Sequence, residues 1–222
     1  ALHSGSNSLI LYILNGTQLQ TNDDANVLSY VAEQIKKGGK QVRDRFLFVV
    51  NKMDDINPEE ENVKDILQDV KRYLAQFGID DPQIFPCSAF TALNLEVYLN
   101  GIDIDKLSRS DERKLPSAAK DAITMAYKFM DYPMMHLEQY STLSPSAQNQ
   151  LYDRLRNAEE REDTNEQVMI HSGIYSIEAA ITAYVKKYAR TKKIKELVES
   201  FEQVLESSQV LVKAKTQVAT DE

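Results

Sequence analysis

The sequence predicts an α/β fold with a parallel sheet of about three strands, and three observations carry that prediction. Short apolar runs at residues 8–14, 46–50 and 83–87 read as strands buried on both faces. Two segments with apolar residues at helical spacing separate those runs. Turn-forming residues punctuate the junctions, giving the strand, helix, strand, helix, strand order of right-handed parallel crossovers.

The first run, Ser8-Leu9-Ile10-Leu11-Tyr12-Ile13-Leu14, is continuous in apolar character and ends at Asn15-Gly16-Thr17-Gln18. A strand of that kind needs neighbours, so an edge left open there is expected to recruit another segment or a second copy. Thr21-Asn22-Asp23-Asp24 opens a helix with a capping hydroxyl and acids favoured by the helix dipole. Val27, Leu28, Val31 and Ile35 form its stripe, and Gly38-Gly39 is expected to stop it. After the second strand, Pro58 and Glu59-Glu60-Glu61 are expected to start another helix. Its stripe is Val63, Ile66, Leu67, Val70 and Leu74, and Gly78 ends it.

Composition sets limits on the class of protein. With 222 residues, 42% of them hydrophobic, a sizeable core is affordable. A net charge of -8 and a pI near 5.0 argue against a nucleic-acid binder, whose footprint is a basic face. Cys87, the single cysteine, excludes an internal disulfide and reads as a small buried hydrophobe. No apolar run has the length of a membrane span, so the expectation is a cytoplasmic protein. His3, His136 and His171 have no ligand spacing with Cys, Asp or Glu, so no metal site is expected.

The second strand, Phe46-Leu47-Phe48-Val49-Val50, runs into Asn51-Lys52-Met53-Asp54. Open parallel sheets place ligands beyond the carboxyl ends of their strands. The tetrapeptide resembles the Asn-Lys-x-Asp guanine-specificity motif of the GTPase superfamily. A carboxylate at Asp54 can accept from both the ring N1–H and the 2-amino group of guanine, and adenine offers neither. By the resemblance, Asn51 reaches the N7 edge and ties neighbouring loops together, and the stem of Lys52 lies over the ring. The third strand ends in Pro86-Cys87-Ser88-Ala89, similar to the Ser-Ala loop whose backbone N–H meets guanine O6.

Two helices follow at helical spacing. Leu115-Pro116-Ser117 starts one with Ala119, Ala122, Ile123, Ala126, Phe129 and Met130 on one side, ending at Asp131-Tyr132-Pro133. Ser144-Pro145 starts the other, with Ala147, Leu151, Leu155 and Ala158 in stripe and Glu159-Glu160-Arg161-Glu162-Asp163 as a solvated charge run. Ser172, in His171-Ser172-Gly173-Ile174, is expected to cap a last helix carrying Ile177, Ile181, Tyr184 and Tyr188. From Ile194 to Val212 apolar residues keep a repeat near seven, the pattern of a helix bound for a bundle. Lys186-Lys187, Arg190 and Lys192-Lys193 read as a solvated helix rather than a lipid-binding face.

Together with Thr17-Gln18 after the first strand, these features resemble bacterial dynamin-family GTPases. The resemblance implies residues 1–92 as the second half of a partial P-loop GTPase-like domain and 93–170 as a helical insertion. Residues 171–190 would be the final domain helix and 191–222 the start of a helical stalk. It implies guanine nucleotide (GTP or GDP) as ligand, self-association through the helical region, and peripheral contact with a membrane. The 222 residues contain neither the Gly-x-x-x-x-Gly-Lys-Ser/Thr phosphate loop nor an Asp-x-x-Gly for magnesium. The expectation is therefore a part of a longer protein, with Mg2+ binding only alongside an N-terminal half and no catalytic residue in this stretch. The alternative is a nucleotide-independent scaffold built on a degenerate GTPase-like domain.

Overall fold

The computed structural model describes residues 8–18, 24–100, 104–106, 108–188 and Ser200. Two compact units divide the chain, Ala1–Ile181 and Thr182–Glu222. The repeat from Ile194 onward, the capping residues 21–23 and the basic positions Arg190, Lys192 and Lys193 lie outside the described residues.

Three parallel strands form the sheet: β1 (Ile10–Asn15), β2 (Phe46–Asn51) and β3 (Gln83–Pro86), in the order β1-β2-β3. Ile10 aligns with Phe46 and Asn15 with Asn51, while Leu47 aligns with Gln83 and Val50 with Pro86. All three chains therefore end on the same side. Alternation along β2 splits the core. Phe46, Phe48 and Val50 join a large cluster with Leu28 and Val31, Val70 and Leu74, and Ile123 and Phe129. Leu47 and Val49 pack instead with Phe85, Cys87 and Ile177. Burying one such side chain stabilises the fold by about 1.5–3 kcal/mol, so β2, covered on both faces, anchors the sheet. Among the described residues β1 pairs only with β2, and it exposes Leu11 and Ile13, the latter at 66%.

Helix α1 (Asp24–Arg43) continues through Gly38-Gly39, which were expected to stop it. The extra turn carries Val42 against the large cluster, and its carbonyl then accepts from Arg45 N–H to turn the chain into β2. Tertiary burial outweighs the cost of glycine in a helix, about 1 kcal/mol per residue. Helix α2 (Val63–Gln76) starts five residues later than Pro58, which lies in a turn. Asn62 caps it by accepting from Lys64 N–H, and Gly78, at φ +79°, follows its end.

Helix α3 (Ala89–Leu99) begins directly after Ser88, a helix the sequence reading did not place, and it runs across position 93. After the short α4 (Arg109–Glu112), α5 (Ser117–Asp131) buries Ala119, Ala122, Ile123, Ala126 and Phe129 as its pattern predicts. Two 3-10 turns, Pro133–Met135 and Leu137–Tyr140, lead to α6 (Pro145–Glu160), capped by Ser144. The acidic run does not simply trail away: Asp163 caps α7 (Thr164–His171), accepting from Glu166 N–H. Ser172-Gly173 then turns the chain into α8 (Ile174–Tyr188). Among the described residues no single helix is long and apolar enough to cross a membrane.

Candidate functional site

The carboxyl ends of the three strands converge on Asn51. Gly16 N–H, just past β1, donates to the Asn51 carbonyl at 2.8 Å, a close approach in which a Cβ on Gly16 would meet that oxygen at 3.1 Å. Cys87 N–H donates to the Val50 carbonyl at 2.8 Å and Met53 N–H to the Cys87 carbonyl at 3.2 Å, so pairing continues past β2 and β3 into both loops. The Asn51 side chain completes the tie. Its Oδ1 accepts from Ala89 N–H at 3.0 Å and from the Cys87 thiol at 3.6 Å.

Lys52 takes the left-handed conformation, φ 66° and ψ 32°, before the 3-10 turn Met53–Asp55. For a residue with a Cβ this costs on the order of 1–2 kcal/mol. The turn sets Asp54, 8% exposed, beside Ser88. Ser88 Oγ donates to Asp54 Oδ1 at 2.6 Å, accepts from Thr91 N–H as the cap of α3, and lies 2.8 Å from the Thr91 hydroxyl. Ser88 has one hydroxyl proton and the carboxylate is the stronger acceptor, so Thr91 supplies the proton of that last contact. Asn51 and Asp54 are thus joined by hydrogen bonds to Ser88 and Ala89, more than thirty positions further on. The exposed Lys52 side chain makes none of these bonds.

Two supports from distant sequence hold the assembly. Lys128, on α5, donates from Nζ to the Asp54 carbonyl at 2.6 Å and also to the Ile56 carbonyl. Burial lowers the Lys128 pKa, while Asp54, Asp55 and Glu61 pull it the other way. Ser88 N–H donates to the Ser172 carbonyl at 2.9 Å, and the following Gly173 presses on β3. At φ +78°, a Cβ on Gly173 would sit 2.1 Å from the Pro86 carbonyl oxygen, so only glycine fits. Ser172 was expected to cap α8, and its Oγ accepts from Ile174 N–H at 3.5 Å where that helix begins; it also closes α7, the same Oγ donating to the Met169 carbonyl at 2.7 Å. Cys87 is buried as expected, and burial pushes its thiol up to about 12.

Beside this assembly lies a cleft of about 310 Å³ lined by Asp54, Asp55, Phe90, Asp121, Thr124 and Met125. Larger clefts, of about 420 and 650 Å³, flank Arg161, just past the end of α6, and Glu166 on α7. Neither is lined by Asn51, Asp54, Ser88 or Ala89, so size does not rank them above the Asp54 cleft. Phe90, Thr124 and Lys128 escaped the sequence reading because they come from helices whose docking no local pattern encodes.

A second constellation was also missed. His136, Glu138 and His171 offer ligand atoms that all lie within 4.8 Å of one another. Spacing along the chain argued against a metal site, but His171 arrives from α7 while the other two belong to the segment of 3-10 turns.

No family model, no curated protein and no solved structure matches this chain.

Proposed function

We propose that the chain is the guanine-reading part of a dynamin-like GTPase, hydrolysis of GTP belonging to the whole protein with its phosphate loop and magnesium. The single observation that supports this most is the bond from Ser88 to Asp54 within an assembly that also joins Asn51 to Ala89. A carboxylate has about four lone-pair sites. Ser88 takes one, which leaves capacity for the two donors of guanine while the hydroxyl fixes the carboxylate's orientation. Ala89 N–H, now bonded to Asn51 Oδ1, is the donor that would exchange to guanine O6. The Lys52 stem and the half-exposed Phe90 ring supply flat or apolar surface for the base.

Magnesium and phosphate have no assigned residue in this stretch, and none is proposed. The helices between residues 93 and 170 act in this reading as an insertion that braces the base loop through Lys128, and the chain beyond residue 190 as the start of a stalk for self-association at a membrane. The test is a titration of the purified chain with guanosine and adenosine diphosphates, followed by amide NMR shifts. Shifts at Asn51, Asp54 and Ala89 with guanosine diphosphate alone would support the reading. Equal response to both, or none, would favour a nucleotide-independent scaffold.

A further inference from the structure

We propose that His136, Glu138 and His171 form a binding site for one divalent transition-metal ion, zinc being the best match to two imidazoles and a carboxylate. The site stands apart from the nucleotide reading. His136 lies between the two 3-10 turns, Glu138 lies in the second, Leu137–Tyr140, and His171 is the last residue of α7. Glu138 and His171 are each 3% exposed. A carboxylate buried to that degree needs a positive partner or strong donors.

The spacing of the ligand atoms is near that of a bound ion. Ligand atoms at 2.0–2.1 Å from zinc in a tetrahedron lie about 3.3 Å apart. His171 Nδ1 is already 3.2 Å from both Glu138 oxygens. All three ligand atoms fall within 4.8 Å, so closing the set needs the His136 nitrogen to move by about 1.5 Å and its ring to turn out of the parallel stack with His171, so that both lone pairs aim at one point, a change of side-chain torsions.

His136 supplies the observation that a plain His–Glu pair does not explain. Its ring stacks on that of His171 with centroids 3.6 Å apart and planes 9° apart, and its Nε2 is buried with no hydrogen-bond partner among the described residues. Buried polar atoms are nearly always paired, and an unpaired imidazole nitrogen beside a second imidazole and a carboxylate is a metal ligand in waiting. Ser141 Oγ, three residues past Glu138, is likewise buried without a partner among the described residues. Three protein ligands leave a fourth position for water or an anion. Two nitrogen donors disfavour magnesium and calcium, which take oxygen.

The experiment uses the chain stripped with a chelator and titrated with zinc by calorimetry and with cobalt by visible spectroscopy. The expected result is one ion per chain, and intense visible bands from low-coordinate cobalt. Glu138→Gln and His136→Gln should each weaken binding by at least about 100-fold, since even losing an outer-shell partner costs 10–100-fold. In the wild-type chain, zinc should shift the imidazole resonances of His136 and His171 but not those of His3, a readout that does not depend on either variant folding. No binding at one equivalent, a response at His3 alone, or wild-type affinity in a folded variant would overturn the site.

Discussion

Replacing Lys128 with Met keeps the aliphatic stem and removes the ammonium that bridges the Asp54 and Ile56 carbonyls. Hydrogen bonds from a charged donor contribute about 1.5–3 kcal/mol each when buried. Lys128 is only partly buried, so solvent screening discounts the pair. The ammonium's own desolvation, visible in its lowered pKa, offsets more of it. The expected net loss is about 1–2 kcal/mol, a change of roughly 5- to 30-fold in the folded-to-unfolded ratio. Urea denaturation measures the loss, and amide exchange locates it: protection should fall across residues 52–57 and stay unchanged in β1. A loss under about 0.5 kcal/mol, the range of ordinary surface substitutions, with unchanged exchange would refute the idea that α5 holds the Asp54 loop.

Gly173→Ala should cost more than about 3 kcal/mol or prevent folding, because the new Cβ meets the Pro86 carbonyl at 2.1 Å in a backbone conformation alanine resists. Near-normal urea stability would show that the Ser172-Gly173 turn is free to leave β3. Cys87 should react with a thiol reagent at pH 8 only as fast as the chain opens, its pKa being pushed up to about 12. The unfolded thiol ionises near pH 8.5 and the folded one does not, so the unfolded state binds fewer protons above that pH and stability falls as pH rises toward 12. Cys87→Ala should flatten the slope between pH 8 and pH 10 in urea titrations; rapid labelling of the native chain would contradict the burial argument.

The parts of the fold legible in the sequence are those encoded by local pattern. The alternation of apolar runs gave the parallel order, and the stripes of α2 and α5 matched their buried faces because 3.6-residue spacing is a local property. Element boundaries were less legible where distant packing decides them. α1 overruns its two glycines to place Val42 in the core, and α2 waits for Asn62 because Pro58 sits in a turn. For the site, Asn51, Asp54, Ser88 and Ala89 were readable from two short motifs, and the bonds among them tie those motifs together. Lys128, 74 positions from Asp54, and His171, 33 from Glu138, carry no sequence signal of these contacts, since a long-range contact has no period.

The central claim, that Asp54 reads guanine, is tested most directly by titrating wild type and Asp54→Asn with guanosine and xanthosine diphosphates and comparing base preference by NMR. Xanthine carries a carbonyl in place of guanine's 2-amino group, which a carboxylate repels and an amide N–H₂ can meet. Sites built around paired hydrogen bonds discriminate by on the order of 10⁴-fold. The smaller contact surface of a single base loop reduces that, yet the sign of the preference should still invert. Wild type should favour guanosine diphosphate and Asp54→Asn xanthosine diphosphate. The same preference in both proteins would contradict the assignment of Asp54 as the base reader.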